Sequence, residues 1–311
     1  MNNKLRILFF SSVLLGCSFI SSAQLANDST ELIDSGVMYV DPLFEYPIAP
    51  EELTSFTEKC DWLVENFWNG FDLKSKDAVD QNKLNHAFKV FSTTCQYANK
   101  DKVTSAIDKL MKNLQKNPIL LYQMTKSAEE NIYGPRAEVW IDELYVRILK
   151  SALASKKFPT TKRARYESQL KQLENSMLGN KPATFDFVRP NGDKAQYFPM
   201  ATPTIIMFGD PECDECRMGK LRMQSNVSFS KAVTDGKINV LFIIPDPEDG
   251  WEKKVSDFPK NWSVGASDSV ADIIDIRDIP EIYVIDTNGK IVNKHIGAVK
   301  AMNEALSLIQ Q

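Results

Sequence analysis

Histidine is nearly absent, with two in 311 residues, and the five cysteines include one close pair only. That leaves little material for a multi-histidine or multi-cysteine metal centre. Thirteen glycines and fifteen prolines are too few for a low-complexity or collagen-like chain. The net charge is −4, and no long basic run appears, which argues against nucleic acid as a partner. No P-loop, dinucleotide fingerprint or Ser–His–acid set stands at motif spacing, so nothing in the sequence asks for an organic cofactor. Past the N-terminus no stretch approaches 18 uninterrupted apolar residues, which excludes a polytopic membrane protein. No internal repeat is evident. What is there is ordinary for globular protein, 43% hydrophobic and 25% charged. The length fits about two domains at roughly 150 residues each.

The N-terminus reads as an address. Lys4 and Arg6 precede an apolar run from Ile7 to Ile20, and Ser21-Ser22-Ala23 supplies small residues before Gln24. This is the three-part layout of a secretory signal peptide over residues 1–23. A second reading competes: Leu14-Leu15-Gly16-Cys17 resembles a bacterial lipobox, in which Cys17 would carry a lipid and tether the chain to a membrane. Either reading places the protein in the periplasm or cell envelope. Four cysteines then remain, Cys60, Cys95, Cys213 and Cys216, and in an oxidising compartment an even number suggests disulfides.

Two halves follow with different patterning. Residues 24–51 are a polar, proline-punctuated lead-in, expected to be flexible. From 52 to 178 the apolar residues recur at helical spacing, as in Val103, Ile107, Leu110, Met111 and Leu114, or Ile141, Leu144, Tyr145 and Ile148. About six helices and no convincing strand are expected there, with Pro118 suited to a first helical turn and Gly179 to a final cap. From 179 to 311 the pattern changes. Residues 184–188 and 195–198 flank the hairpin signature Pro190-Asn191-Gly192-Asp193. Pro203–Phe208 and Ile238–Ile244 are continuous apolar runs of the kind found in parallel sheets, with a helix over 213–224 between them. A helix over 270–276, a second hairpin through Asn288-Gly289 and a closing helix over 298–309 complete an α/β domain behind an all-α one.

Chemistry is concentrated in Cys213-Asp214-Glu215-Cys216, which follows a buried strand and opens a helix. Free N–H groups and the positive end of the dipole at a helix N-terminus favour a thiolate over a thiol. The two-residue spacer lets the sulfurs form and break a disulfide between themselves. Cys213, the more exposed, would attack a partner's disulfide, and Cys216, one turn deeper, would resolve the mixed disulfide. Zinc would need a second such pair or companion histidines. A second feature agrees: Ile279-Pro280 stands just before the apolar run Ile282–Ile285.

Residues 179–311 resemble a thioredoxin-like domain of the TlpA/ResA type of exported disulfide reductases. The residues that carry the resemblance are Gly179–Phe185 at the domain start, Thr204–Phe208 before the cysteines, the C-x-x-C itself, and Ile279-Pro280 before Ile282–Asp286. The helical half resembles a functionally uncharacterised N-terminal domain found ahead of such domains in Gram-negative secreted proteins. Asn66–Asp72, Asp246–Asp249, Trp251 and Phe258–Trp262 carry that likeness. The resemblance implies a thioredoxin-like fold and disulfide-reductase chemistry through Cys213 and Cys216. It implies that Pro280 is cis and shapes the groove for a client backbone. Client protein disulfides and an upstream membrane or periplasmic reductant would be the partners.

The sequence departs from the thioredoxin pattern in two ways. Glu212 precedes the first cysteine and Asp214-Glu215 separate the pair, so with Asp210 four carboxylates crowd seven residues. Nearby negative charge disfavours a thiolate, which predicts a less acidic Cys213 and a pair that leans reducing. The alternative is that these acids are solvated and screened. The buried acid expected six residues before the first cysteine is Met207 here.

Cys60 and Cys95 fall on separate expected helices, either bridged, which would contribute on the order of 3 kcal/mol, or two buried thiols. Trp251 and Trp262 read as satellite core, Trp68, Phe67 and Phe71 as helical-domain core, and His86 and His295 as structural or surface residues. Two rivals to the reductase stand beside it. One is an envelope binding module on a thioredoxin scaffold with an idle disulfide. The other, a thiol peroxidase, wants Thr or Ser three residues before the reactive cysteine, where Asp210 stands.

Overall fold

The computed structural model describes residues 41–75 and 77–310. The leader over 1–23, Cys17 and residues 24–40 of the lead-in lie outside the described residues. By contact the chain divides into two compact units, one ending at Ser127 and one starting at Ala128.

The first unit holds α1 (Phe56–Asn66), α2 (Gln81–Cys95), α3 (Lys100–Leu114) and the start of α4 (Pro118–Ile132). Side chains mark the starts: Asp80 accepts from the Asn82 and Lys83 N–H groups, and Asn99 from that of Asp101. Pro118 opens α4 as its fixed φ favours. Along α3 the residues Val103, Ile107, Leu110, Met111 and Leu114 are buried, the stripe expected from their spacing. The lead-in corrects the expectation of a flexible segment for residues 41–51. Phe44 packs edge-on to Phe67 at 5.6 Å between centroids and stacks on Phe71 at 5.4 Å. These aromatics bury enough apolar surface to hold the strap against the 3-10 turn Phe67–Gly70.

The second unit begins within α4 and contains α5 (Asp142–Ala154), α6 (Thr160–Glu174) and a seven-stranded sheet. The strands are β1 (Phe185–Val188), β2 (Lys194–Tyr197), β3 (Thr204–Phe208), β4 (Asn239–Ile244), β5 (Ser263–Ala266), β6 (Glu281–Ile285) and β7 (Ile291–Lys294), in the order β2-β1-β5-β4-β3-β6-β7. Helices α7 (Asp214–Ser225), α8 (Val227–Thr234), the short α9 (Trp251–Lys254) and α10 (Ala298–Leu308) complete it. The domain boundary expected after residue 178 thus differs from the division by contact. The end of helix α6 is hydrogen-bonded to the turn at 270–273 in the same unit: Gln172 Nε2 donates to the Ala271 carbonyl at 2.7 Å, and Asn175 Nδ2 to that of Ile273 at 2.9 Å.

The central strands are buried on both faces, and side-chain alternation divides them between two cores. Ile205 and Met207 of β3, Val240 and Phe242 of β4, and Ile282 and Val284 of β6 share one core with Cys216. Ile206, Phe208, Leu241, Ile243, Tyr283 and Ile285 share the other. β3 and β4 run parallel, while β6 returns antiparallel to β3 with Phe208 opposite Glu281. The two expected hairpins form, β1 with β2 and β6 with β7. The helix expected over 270–276 is instead a 3-10 turn, Val270–Asp272. Its apolar residues Val270 and Ile274 are buried in the second core, so tertiary burial and not helical period explains their spacing. Strand β5 and helix α8 were not anticipated; Ser263–Ala266 has no alternation to betray it, and its pairing with β4 is what makes it a strand. No helix among the described residues is long and apolar enough to cross a membrane.

Candidate active site

Cys213 is the N-cap of α7. Its Sγ accepts the backbone N–H of Cys216 at 3.3 Å, the place a serine or aspartate oxygen takes in an ordinary cap. Around it lie the free N–H groups and the positive dipole end of a helix N-terminus. Cys213 is half-buried and Cys216 is buried. Burial pushes the Cys216 thiol well above its ordinary value, and the neighbouring Cys213 adds to the rise. The two sulfurs therefore differ in the direction an attacking and a resolving thiol require: one reachable and capped, one shielded and protonated. Both are free thiols in this structure.

The turn into the helix is built from backbone. The Cys213 N–H donates to the Asp210 carbonyl at 3.1 Å, and the Glu212 N–H to Asp210 Oδ1 at 2.7 Å. Gly209 precedes it, and sequence reading did not single it out. A Cβ at Gly209 would lie 2.8 Å from Cys216 Sγ and 3.3 Å from the Phe242 ring. Only glycine lets β3 pass so close beneath the resolving sulfur. Met207, where an acid was sought, is fully buried in the core that holds Cys216. Gly219 of α7 lets the helix approach it, since a Cβ there would lie 3.2 Å from Met207 Cε.

Two of the four crowding carboxylates are matched by cations. Lys254 Nζ lies 2.5 Å from Glu212 Oε2 and 3.0 Å from Glu248 Oε2, and Arg217 pairs with Asp214. This supports the screened reading of those acids. The peptide Ile279–Pro280 is cis and immediately precedes β6. Because Phe208 pairs with Glu281, the segment leaving β3 toward Cys213 and the segment entering β6 from Pro280 share one edge of the sheet. The strand register thus places the segments that carry Cys213, Cys216 and Pro280 at the same end of the sheet.

The remaining candidates separate from this site. Trp251 and Trp262 are buried in the same core as Cys216, as the satellite-core reading expected. Cys60 and Cys95 are buried free thiols, both pushed upward by burial, which matches the second of the two readings offered for them. His295 is structural, and its surroundings were not foreseen. It joins a buried ion cluster with Asp142, Asp275, Arg277, Glu281 and Lys294. Asp142, Asp275 and His295 converge closely enough to suggest a metal site. Arg277 and Lys294 already sit on those carboxylate oxygens, at 2.5 Å from each of the two Asp142 oxygens, so their charges leave no call for a metal cation.

The seven-stranded sheet and the helices that pack on it have a thioredoxin-like fold. The chain is similar to a solved thioredoxin-like protein from Bacteroides caccae, with a TM-score of 0.70 and 18% identity over 86% of this chain and 99% of that one. That likeness establishes the fold. Residues 20–176 match a family described as a domain of unknown function, DUF5106, and the chain belongs to that family. Smaller structures also resemble part of it. A conserved protein of unknown function from Bacteroides fragilis is 28% identical, with a TM-score of 0.39, over 42% of this chain and 98% of its own. The thioredoxin domain of a thiol-disulfide oxidoreductase from Bacteroides vulgatus is 18% identical, with a TM-score of 0.38, over 43% and 98%. No curated protein matches the chain.

Proposed function

We propose that the protein is an exported thiol–disulfide oxidoreductase that reduces disulfides in client proteins. The observation that carries this reading is the capped, half-exposed Cys213 above a buried, protonated Cys216 at a helix N-terminus. The Cys213 thiolate attacks one sulfur of a client disulfide; a mixed disulfide forms and the other client sulfur leaves as a thiolate. Cys216 gives up its proton and attacks Cys213 Sγ. The second client thiol is released and the Cys213–Cys216 disulfide closes, so two electrons have passed to the client. A dithiol reductant in the membrane or periplasm returns them. Pro280 borders the groove in which the client backbone lies as an added strand. The leader over residues 1–23 supports export; under the competing lipobox reading Cys17 is instead the mature N-terminus and carries a lipid tether.

Resolution is the slow step in this scheme. Cys216 is hard to deprotonate, and Met207 provides no carboxylate beneath it. The mixed disulfide is therefore expected to persist longer than in a thioredoxin with a buried acid. The same absence favours the second reading, a binding module with an idle disulfide.

The reduction potential of the pair decides among these, measured in glutathione or dithiothreitol buffers with Cys216→Ser as control. A value near or below about −250 mV supports a reductase. A value near −120 mV reverses the direction of electron flow. A pair that exchanges in neither buffer supports the binding module.

A further inference from the structure

The chain from Asp275 to Glu281, which carries Ile279–Pro280, is fastened at both ends to one buried charge cluster. At the upstream end Arg277 Nη2 bridges Asp275 Oδ2 at 2.6 Å and Asp142 Oδ1 at 2.5 Å. The Asp275 N–H donates to Ser176 Oγ at 3.0 Å, and the Tyr283 hydroxyl donates to the Asp275 carbonyl at 2.6 Å. At the downstream end Glu281 accepts twice from one residue, from the His295 N–H at 3.0 Å and at His295 Nδ1, 2.7 Å away. Between these anchors Asp278 and Ile279 are exposed.

His295 closes the circuit. Its other ring nitrogen, Nε2, lies 3.6 Å from Asp142 Oδ2 and 4.0 Å from Asp275 Oδ2. The charged groups facing it are Asp142 from α5, Asp275 and Arg277 from the loop, Glu281 from β6 and Lys294 from β7. The rings of Trp140 and Tyr283 flank it at 4.6 and 6.4 Å, and Arg277 lies over Tyr133 at 4.3 Å. Three carboxylates therefore meet two permanent cations, and a protonated His295 is the third cation that balances them. Lys294 Nζ is 2.5 Å from Asp142 Oδ2 yet makes no directed hydrogen bond, so charge and not bond geometry holds it. In a buried site an uncompensated charge is costly.

On this basis we propose that His295 and Asp142 are positioning residues for the client-binding edge. Protonated His295 locks the Asp275–Glu281 loop in place, and loss of its proton loosens the loop and weakens client binding without changing the cysteines. The separation from the cysteines is geometric. Glu281 shares a face of β6 with Tyr283 and Ile285, whereas Cys216 packs on the opposite face with Ile282 and Val284. Burial pushes His295 down, but its pairings with Asp142 and Glu281 outweigh that and raise it above its ordinary value. The locked state is thus present below the ordinary histidine range and is lost as pH rises through the raised value.

This inference rests on the oxidoreductase reading for its consequence and not for its structural part, so two measurements are made on the full chain between pH 5.5 and 9. Hydrogen exchange of the peptide spanning 274–282, corrected for intrinsic rate, reports the loop. It is expected to lose at least tenfold protection as pH rises in the wild type and to be flat in His295→Asn. Asparagine can still donate to Glu281 and tolerates the positive φ of 54° found at His295, but it does not titrate. Asp142→Asn, on a different element, should shift the transition to lower pH, and it serves where His295→Asn fails to fold. Reduction of a disulfide-bonded client, insulin, should show a KM that climbs severalfold over the same range in the wild type only. Alkylation of Cys213 by iodoacetamide should follow one pH curve in wild type and variant. Loop protection that is flat in the wild type, or a His295→Asn profile that matches it, overturns the inference. Loop exchange that moves as expected with no insulin reduction leaves the His295 lock on the loop standing, and removes the reductase reading together with the role in client binding.

Discussion

The two faces of strand β6 are built on opposite principles. One face, with Ile282 and Val284, joins an apolar core that encloses Cys216, Met207 and Phe242. The other carries Tyr283 and Ile285 into a second apolar core, but at its start Glu281 joins a cluster of six ionisable side chains. Apolar surroundings hold a thiol protonated by excluding water. The charge cluster holds a loop by pairing every sign with its opposite. One strand thus has the shielded sulfur packed on one face and the charge cluster at the start of the other.

The sharpest way to break this division is to unbalance the charged face. Arg277 is only 3% exposed and touches two carboxylates, so Arg277→Met should cost about 3–5 kcal/mol in urea unfolding of the sheet unit. A loss under about 1 kcal/mol would show that the cluster is solvated and not structural. Next comes the reverse experiment, a charge on the apolar face. Met207→Asp should destabilise by about 3 kcal/mol as a poorly solvated carboxyl is buried. The same variant should shorten the life of the mixed disulfide, since it places a proton acceptor below Cys216; an unchanged lifetime in single-turnover trapping would argue against a proton-limited second step.

A smaller effect is expected from crowding that face. Gly209→Ala puts a methyl against Cys216 Sγ and Phe242 and should cost about 2 kcal/mol, with slower alkylation of Cys216 as the sulfur is displaced. The acid limb of the pH profile separates the faces further. Burial raises Asp142, but His295, Lys294 and Arg277 outweigh it and hold its carboxyl far below the usual range. A depressed carboxyl contributes stability that is present above its unfolded value and lost as pH falls. The stability gap between wild type and Asp142→Asn should therefore close as pH drops from about 5 toward 1. A gap that stays constant would remove Asp142 from the ion cluster. The smallest change belongs to neither face. Glu212→Gln breaks an exposed pair with Lys254 and should alter stability by less than about 1 kcal/mol. A change in Cys213 reactivity larger than twofold would reinstate the crowding acids as controls on the thiol.

The legible part of this architecture was local. The runs Thr204–Phe208, Asn239–Ile244 and Glu281–Ile285 announce themselves as strands because both faces are buried and nearly every residue is apolar. The C-x-x-C at a strand–helix junction marked the candidate site by its spacing, and the proline ahead of β6 joined it through the resemblance to thioredoxin-like domains. The turn Val270–Asp272 misled because an apolar pair three or four residues apart looks the same whether a helix or a folded loop buries it. Gly209 had no signal, since the atom it makes room for belongs to Cys216, seven residues on and brought back by the helix.

Sequence alone marked most of the elements, though not β5 or α8, and singled out the cysteine pair as the candidate site, for these follow from period, propensity and short spacing. Only the tertiary structure decided which charges meet. Asp142 stands more than a hundred residues from Arg277 and His295 along the chain, and nothing in the sequence joins the three until packing removes the water around them. Burial turns an indifferent charge into one that must find its partner. That demand is a property of the folded interior, and no local pattern of residues expresses it.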